Sequence, residues 1–308
     1  MFATLLGGLP RPSLDESASV DELVEAALRA QESAGLEPVS DAGLRPGPAS
    51  VAGWLATATR TDRAVKQAVV GPYTAGRTIA TGDATARTPV TLARADQLNA
   101  LLRDLEAAGC PLVEVHEPAA TEIGAQEAER ALFREAQLRL LDGLTLVHPS
   151  LAITGGAADG AGVVTILAAP YGSLAVDLIA GPDNWRLVAD VPGEVGVVCG
   201  ALSAAAGSFD GPETLLWAAG YAASMRRRGP ERVGLGTASS LASLSWEEAV
   251  AKLTALGTAA RLATAPLDER TRAMDPRAVS SRAAALGTVA TPATEPSPEP
   301  PPSRPDPT

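Results

Sequence analysis

"TLARADQLNALLRDLEAAGCPLVEVHEPA", residues 91–119, contains one repeating unit of the fold. A helical pattern over 91–109 runs into a short apolar strand, 111–116, which stops at His116–Glu117–Pro118. Pro118 biases Glu117 away from helical backbone, so the strand ends sharply. The same alternation extends in both directions. Apolar runs at 2–8, 37–43, 64–72, 151–156, 173–178, 195–200 and 231–236 read as seven more strands, with helical patterns between them. The clearest helices are 19–35, about 50–60, about 122–142 and 245–263. In the first of these, Val20, Leu23, Val24, Ala27 and Leu28 recur at helical spacing, and Ser19 with Glu22 makes a capping box.

Strands rich in Val, Leu and Ala, separated by helices, indicate a parallel sheet buried on both faces. Eight such units over this length predict an α/β fold of the (β/α)8 TIM barrel type. The barrel is expected to be a single domain over 1–286. Residues 287–308, "GTVATPATEPSPEPPPSRPDPT", are rich in Pro, Thr and Ser and predict a disordered, partly polyproline tail.

Composition narrows the partners. Apolar residues make up 46% of the 308 and aromatic residues only 3%, so the core is aliphatic. With 25 basic and 36 acidic residues the net charge is −11, which argues against nucleic acid. The one basic cluster, "MRRRGPER" at 225–232, reads as a solvated helix C-terminus. Cys110 and Cys199 are far apart in apolar runs and read as core residues. No stretch reaches the roughly 18 apolar residues of a membrane span, and the first residues lack signal-peptide character. A cytoplasmic protein without membrane contact, acting on a small molecule, is expected; the oligomeric state is not legible.

In a barrel of this kind, function gathers at the carboxyl ends of the strands. His116 and Glu117 are the candidate catalytic pair, because an imidazole and a carboxylate at one mouth divide acid and base duties. Gly8, Asp41, Tyr73, Asp177 and Ser239 fall at other strand ends and are candidate substrate contacts. Asp177 reads equally well as a cap for the following helix. His148, before a proline, reads as a loop residue. The glycine-rich "TGGAADGAG" (154–162) matches no phosphate-binding spacing, and no CxxC, HxH, HExxH or GxSxG pattern occurs.

Five segments in order resemble the catalytic barrel of cobalamin-independent methionine synthase, within the wider uroporphyrinogen decarboxylase group. They are "LLGGLPRP" (5–12), "GLEPVSDAGLR" (35–45), "KQAVVGPYT" (66–74), "VEVHEPA" (113–119) and "VGLGTASSLASLSW" (233–246). The resemblance implies a methyltransferase-type enzyme of one-carbon chemistry, with a folate-type methyl donor. Laid on this chain, the family's zinc ligands fall at about Thr154, Gly156, Leu178 and Ser239, and its homocysteine contacts at Gly8, Gly43 and His116. These side chains supply no zinc site, so no metal and no resident cofactor is expected. Two other readings stand beside this one. The first is a non-catalytic barrel that binds a small molecule or partner. The second is a metal-free decarboxylase or lyase, with Arg11 and Arg45 as candidate arginines.

Overall fold

A computed structural model describes residues 1–208 and 211–273. The expected tail, 287–308, lies outside the described residues. Seven strands form one parallel sheet: β1 (Phe2–Thr4), β2 (Lys66–Val70), β3 (Leu112–His116), β4 (His148–Ile153), β5 (Ser173–Asp177), β6 (Gly196–Leu202) and β7 (Val233–Thr237). Their order is β1-β7-β6-β5-β4-β3-β2, so from β2 to β7 neighbours in sequence are neighbours in space, while β1 pairs with β7 and not with β2. The sheet is a half-barrel of seven strands rather than a ladder of eight.

The expected strand at 37–43 is a single parallel bridge, Val39 to Val65. It occupies the gap between the two edge strands: Glu37 N donates to Ala3 O beyond β1's side, and Lys66 N donates to Val39 O, both at 2.9 Å. Pro38 has no amide hydrogen to add to a ladder. Ala42 and Gly43 then turn through left-handed backbone, with φ of 55° and 71°, which stops the extended run.

The helices are α1 (Val20–Ser33), α2 (Val51–Ala58), α3 (Pro72–Ile79), α4 (Ala84–Ala107), α5 (Glu127–Leu141), α6 (Val163–Ile166), α7 (Asn184–Asp190), α8 (Pro212–Ser224), α9 (Trp246–Ala263) and α10 (Leu267–Ala273). The Ser19–Glu22 capping box is present. Helix α4 begins earlier than the pattern at 91 suggests. Asp83 caps it by accepting from Thr85 N and Ala86 N, and the helix runs through Pro89. The helix expected at 122–142 begins only at Glu127, after a 3-10 turn over Pro118–Glu122.

Strand parity sorts the side chains. Val113, Val115, Leu151, Val176 and Leu235 join the main core beneath the helices. On the other face Leu6, Ala152, Ala175 and Val198, with Phe2 against them, form a separate small cluster within the curve of the sheet.

Two local expectations are corrected. His148 is the first residue of β4, not a loop residue; its Nε2 lies 2.9 Å from Ser173 Oγ. The basic cluster is not wholly solvated. Arg228 is fully buried, and its guanidinium donates to the carbonyls of Val195, Ala222 and Val191 at 3.0, 2.7 and 2.9 Å. It satisfies carbonyls left open where α7 and α8 end, a role only a planar fork of donors fills.

Candidate functional site

The inward face of β3 carries Glu114 and His116, two residues apart on the same side. Lys66 approaches from the adjacent β2. Its Nζ donates to Leu5 O at 2.6 Å and to Glu114 Oε2 at 2.5 Å, while Glu114 Oε1 lies 2.7 Å from His116 Nε2. Lys66 and Glu114 are each 3% exposed. Burial by itself pushes the Glu114 carboxyl up, but the Lys66 ammonium and the His116 hydrogen bond outweigh it and hold the group well below the usual carboxylate range. Glu114 is therefore ionised and can only accept, so His116 Nε2 carries the proton between them. In the neutral ring this leaves Nδ1 as an acceptor.

His116 lines a cavity of 560 Å³ at the carboxyl ends of β1, β2 and β3, together with Gly8, Asp41 and Arg45. Burial raises the Asp41 carboxyl, opposed by the Gly43 amide and by Arg45. Arg45 is held at the cavity wall, with Nη2 2.9 Å from Asp21 Oδ1 and Nε 2.9 Å from Thr57 Oγ1. Arg11 is exposed, and its Nη2 donates to the carbonyls of Asp15 and Glu16.

A second cavity, 340 Å³, adjoins the first across the Gly8–Ser240 contact and is lined by Asp177, Ser203 and Ser239. Asp177 is 1% exposed, and both its oxygens are taken by backbone: Oδ1 by Ile179 N and Ala180 N, Oδ2 by Gly155 N. It organises the turns after β4 and β5.

The remaining two candidates are elsewhere. Glu117 has the parity of Val113 and Val115, is fully buried, and points into the helical layer. Its oxygens accept from Tyr73 N at 3.0 Å, Thr74 N at 2.7 Å and Gln137 Nε2 at 2.7 Å. It caps α3, whose own N-cap is Gly71 and has no side chain to do so. The Glu117 side chain lies where a Gly71 Cβ would be, which is why glycine stands there. Tyr73 is buried beside it, its ring edge-on to Phe133 and its hydroxyl donating to Glu129. The structure thus gathers Gly8, Asp41 and His116 in one cavity and Asp177 and Ser239 in its neighbour, and sets Tyr73 and Glu117 behind the sheet.

Sequence reasoning missed Lys66 and Glu114. A signal was present: each is a charge in the middle of a strand expected to be buried on both faces, and such a charge requires a partner. Neither thiol reaches the mouth. Cys199 Sγ faces α8, where burial pushes its pKa up to about 12, and Cys110 Sγ contacts Leu112 O. Among the described residues, no three His, Cys, Asp or Glu side chains are grouped to share a metal ion, and no helix is long and apolar enough to cross a membrane.

No family model and no curated protein sequence matches the chain. Solved structures do. One is a B12-independent methionine synthase from Shewanella sp. W3-18-1 in complex with selenomethionine, similar with a TM-score of 0.70 and 17% identity over 84% of this chain and 96% of that one. Another is a putative vitamin-B12 independent methionine synthase from Listeria monocytogenes, with a TM-score of 0.64 and 11% identity over 85% and 97%. At these identities the likeness is one of fold.

Proposed function

We propose that the chain is a metal-independent enzyme acting on a small polar metabolite at the carboxyl end of a (β/α)8 barrel. In this reading the Val39 bridge stands for the second of eight strands. The observation that carries the proposal is the Lys66–Glu114–His116 chain, which ends at a cavity large enough for a metabolite. Lys66 keeps Glu114 ionised, Glu114 fixes the tautomer and orientation of His116, and Nδ1 takes a proton from the bound substrate. The growing imidazolium is stabilised by the carboxylate it already contacts, as in other carboxylate-oriented histidine bases. Asp41, also in the cavity, binds a donor group of the substrate.

Likeness of fold to methionine synthases supports one-carbon or methyl transfer as the neighbouring chemistry. The family's zinc does not fit this chain's side chains. A thiol–imidazole–carboxylate set is needed, both cysteines face away from the mouth, and Thr154, Gly156, Leu178 and Ser239 supply no strong ligand.

Native mass spectrometry with elemental analysis of the purified chain tests this. A co-purifying small molecule is expected on the wild type and not on His116→Ala, with no stoichiometric transition metal. One tightly held metal ion per chain, retained in His116→Ala, overturns the reading. A barrel that binds without turnover is the second reading, favoured by the serines and alanines that line the neighbouring cavity. Recovery of the ligand unchanged after prolonged incubation would select it.

A further inference from the structure

Aromatic residues are scarce in this chain, yet three meet on one surface. Trp217 and Tyr221 of α8 stack with ring centroids 5.6 Å apart, and Trp185 of α7 stands edge-on to both at 4.8 and 5.2 Å. Trp217 is nevertheless 59% exposed. It forms one wall of a 640 Å³ groove floored by Gly220 and Ala223 and closed on the far side by Ala263 and Arg270. Two features of the groove are unexplained by the described residues. Gly220 sits in the middle of α8, where glycine costs about 1 kcal/mol relative to alanine, yet a Cβ there would meet nothing within 4 Å. Arg270 Nε is buried and has no hydrogen-bond partner among the described residues.

We infer that the groove holds the proline-rich segment of the same chain, residues 292–307, as a polyproline II strand. The described residues end at Ala273, one turn beyond Arg270, so the chain that leads to this segment departs beside the groove. Residues 274–291 form a tether that reaches roughly 60 Å when extended, ample to return. Polyproline II is recognised by aromatic-lined grooves because it is preformed and loses little entropy on docking. Its carbonyls have no internal partners, so one of them accepts from Arg270 Nε. Glu295 and Glu299 complement the same guanidinium, and the missing side chain at Gly220 leaves room for the strand to cross α8.

The test uses the full chain with Ser297→Cys labelled by bimane, a dye quenched on contact with tryptophan. Cys110 and Cys199 are buried, so the label goes to the new thiol. With a tether giving an effective concentration on the order of a millimolar, emission is expected to be several-fold lower than in the same chain carrying Trp217→Phe, and independent of protein concentration. Gly220→Leu fills the groove and improves helix propensity, so it is expected to relieve quenching while thermal stability holds or rises. Equal emission with and without Trp217 overturns the inference. So does quenching that grows with concentration, which assigns the groove to the segment of a second copy. Quenching unchanged by Gly220→Leu overturns it as well.

Discussion

Glu114 and Glu117 lie three residues apart at the end of one strand, both buried, and the molecule treats them in opposite ways. Glu114 faces the inside of the curved sheet and is held ionised by Lys66 and His116. Glu117 faces the helices; burial raises its pKa, and the amides of α3 with Gln137 only partly offset this. The comparison teaches that position at a strand end does not fix which face a residue serves. Parity does, because successive side chains point to opposite faces.

The largest break in the comparison is Lys66→Met, which leaves a carboxylate buried beside only His116. A loss of about 3–5 kcal/mol in urea unfolding is expected. Glu117→Ala comes next. It leaves the amides of Tyr73 and Thr74 unpaired and is expected to cost about 3 kcal/mol, for several buried donors at once. Ligand retention at the mouth should be unchanged, and its loss would put Glu117 back in the site.

The two carboxylates also divide in their pH dependence. Glu114's folded pKa lies below its ordinary 4.5, so its stabilisation is present above that value and is lost as pH falls below it. Glu117's is raised, so its contribution is complete below 4.5 and declines as pH rises through the folded value. Unfolding measured between pH 2 and 7 should therefore show a shallower acid limb in Lys66→Met than in wild type. Conversely, the wild-type advantage over Glu117→Gln should shrink with rising pH.

A smaller effect is expected from Gly71→Ala, whose methyl overlaps the Glu117 carboxyl and should cost about 1–3 kcal/mol as overpacking. Ser239→Ala, at the rim of the second cavity, should change stability by less than about 0.5 kcal/mol. A larger change would mean that this serine organises the mouth.

The alternation of strands and helices was legible because buried parallel strands write themselves as short aliphatic runs. Where the chain departs from that grammar, the pattern misled. Val39 sits in a stretch expected to be a strand, but Pro38 and the turn at Ala42–Gly43 leave it one bridge. The expected run at 151–156 starts three residues later than β4, because His148 and Pro149 look like loop residues although they pair with β3. At the candidate site, His116, Asp41 and Gly8 are legible as strand ends, and they line one cavity. Glu117 looked equivalent to His116 until parity separated them. The ion pair beneath was hidden because each partner lies in a different strand, and their pairing depends on register, which no single segment records.

The pairing of β1 with β7 joins residues 2–4 to 234–236. During synthesis the first strand of this sheet must wait for the last, and the most recently made strand presents an open edge in the meantime. Such long-range closure is slow to form and exposes the chain to aggregation during synthesis. Chaperone demand and yield in expression should therefore follow variants at this seam, such as those at Phe2, whose ring packs over Gly234, more closely than they follow variants at the mouth.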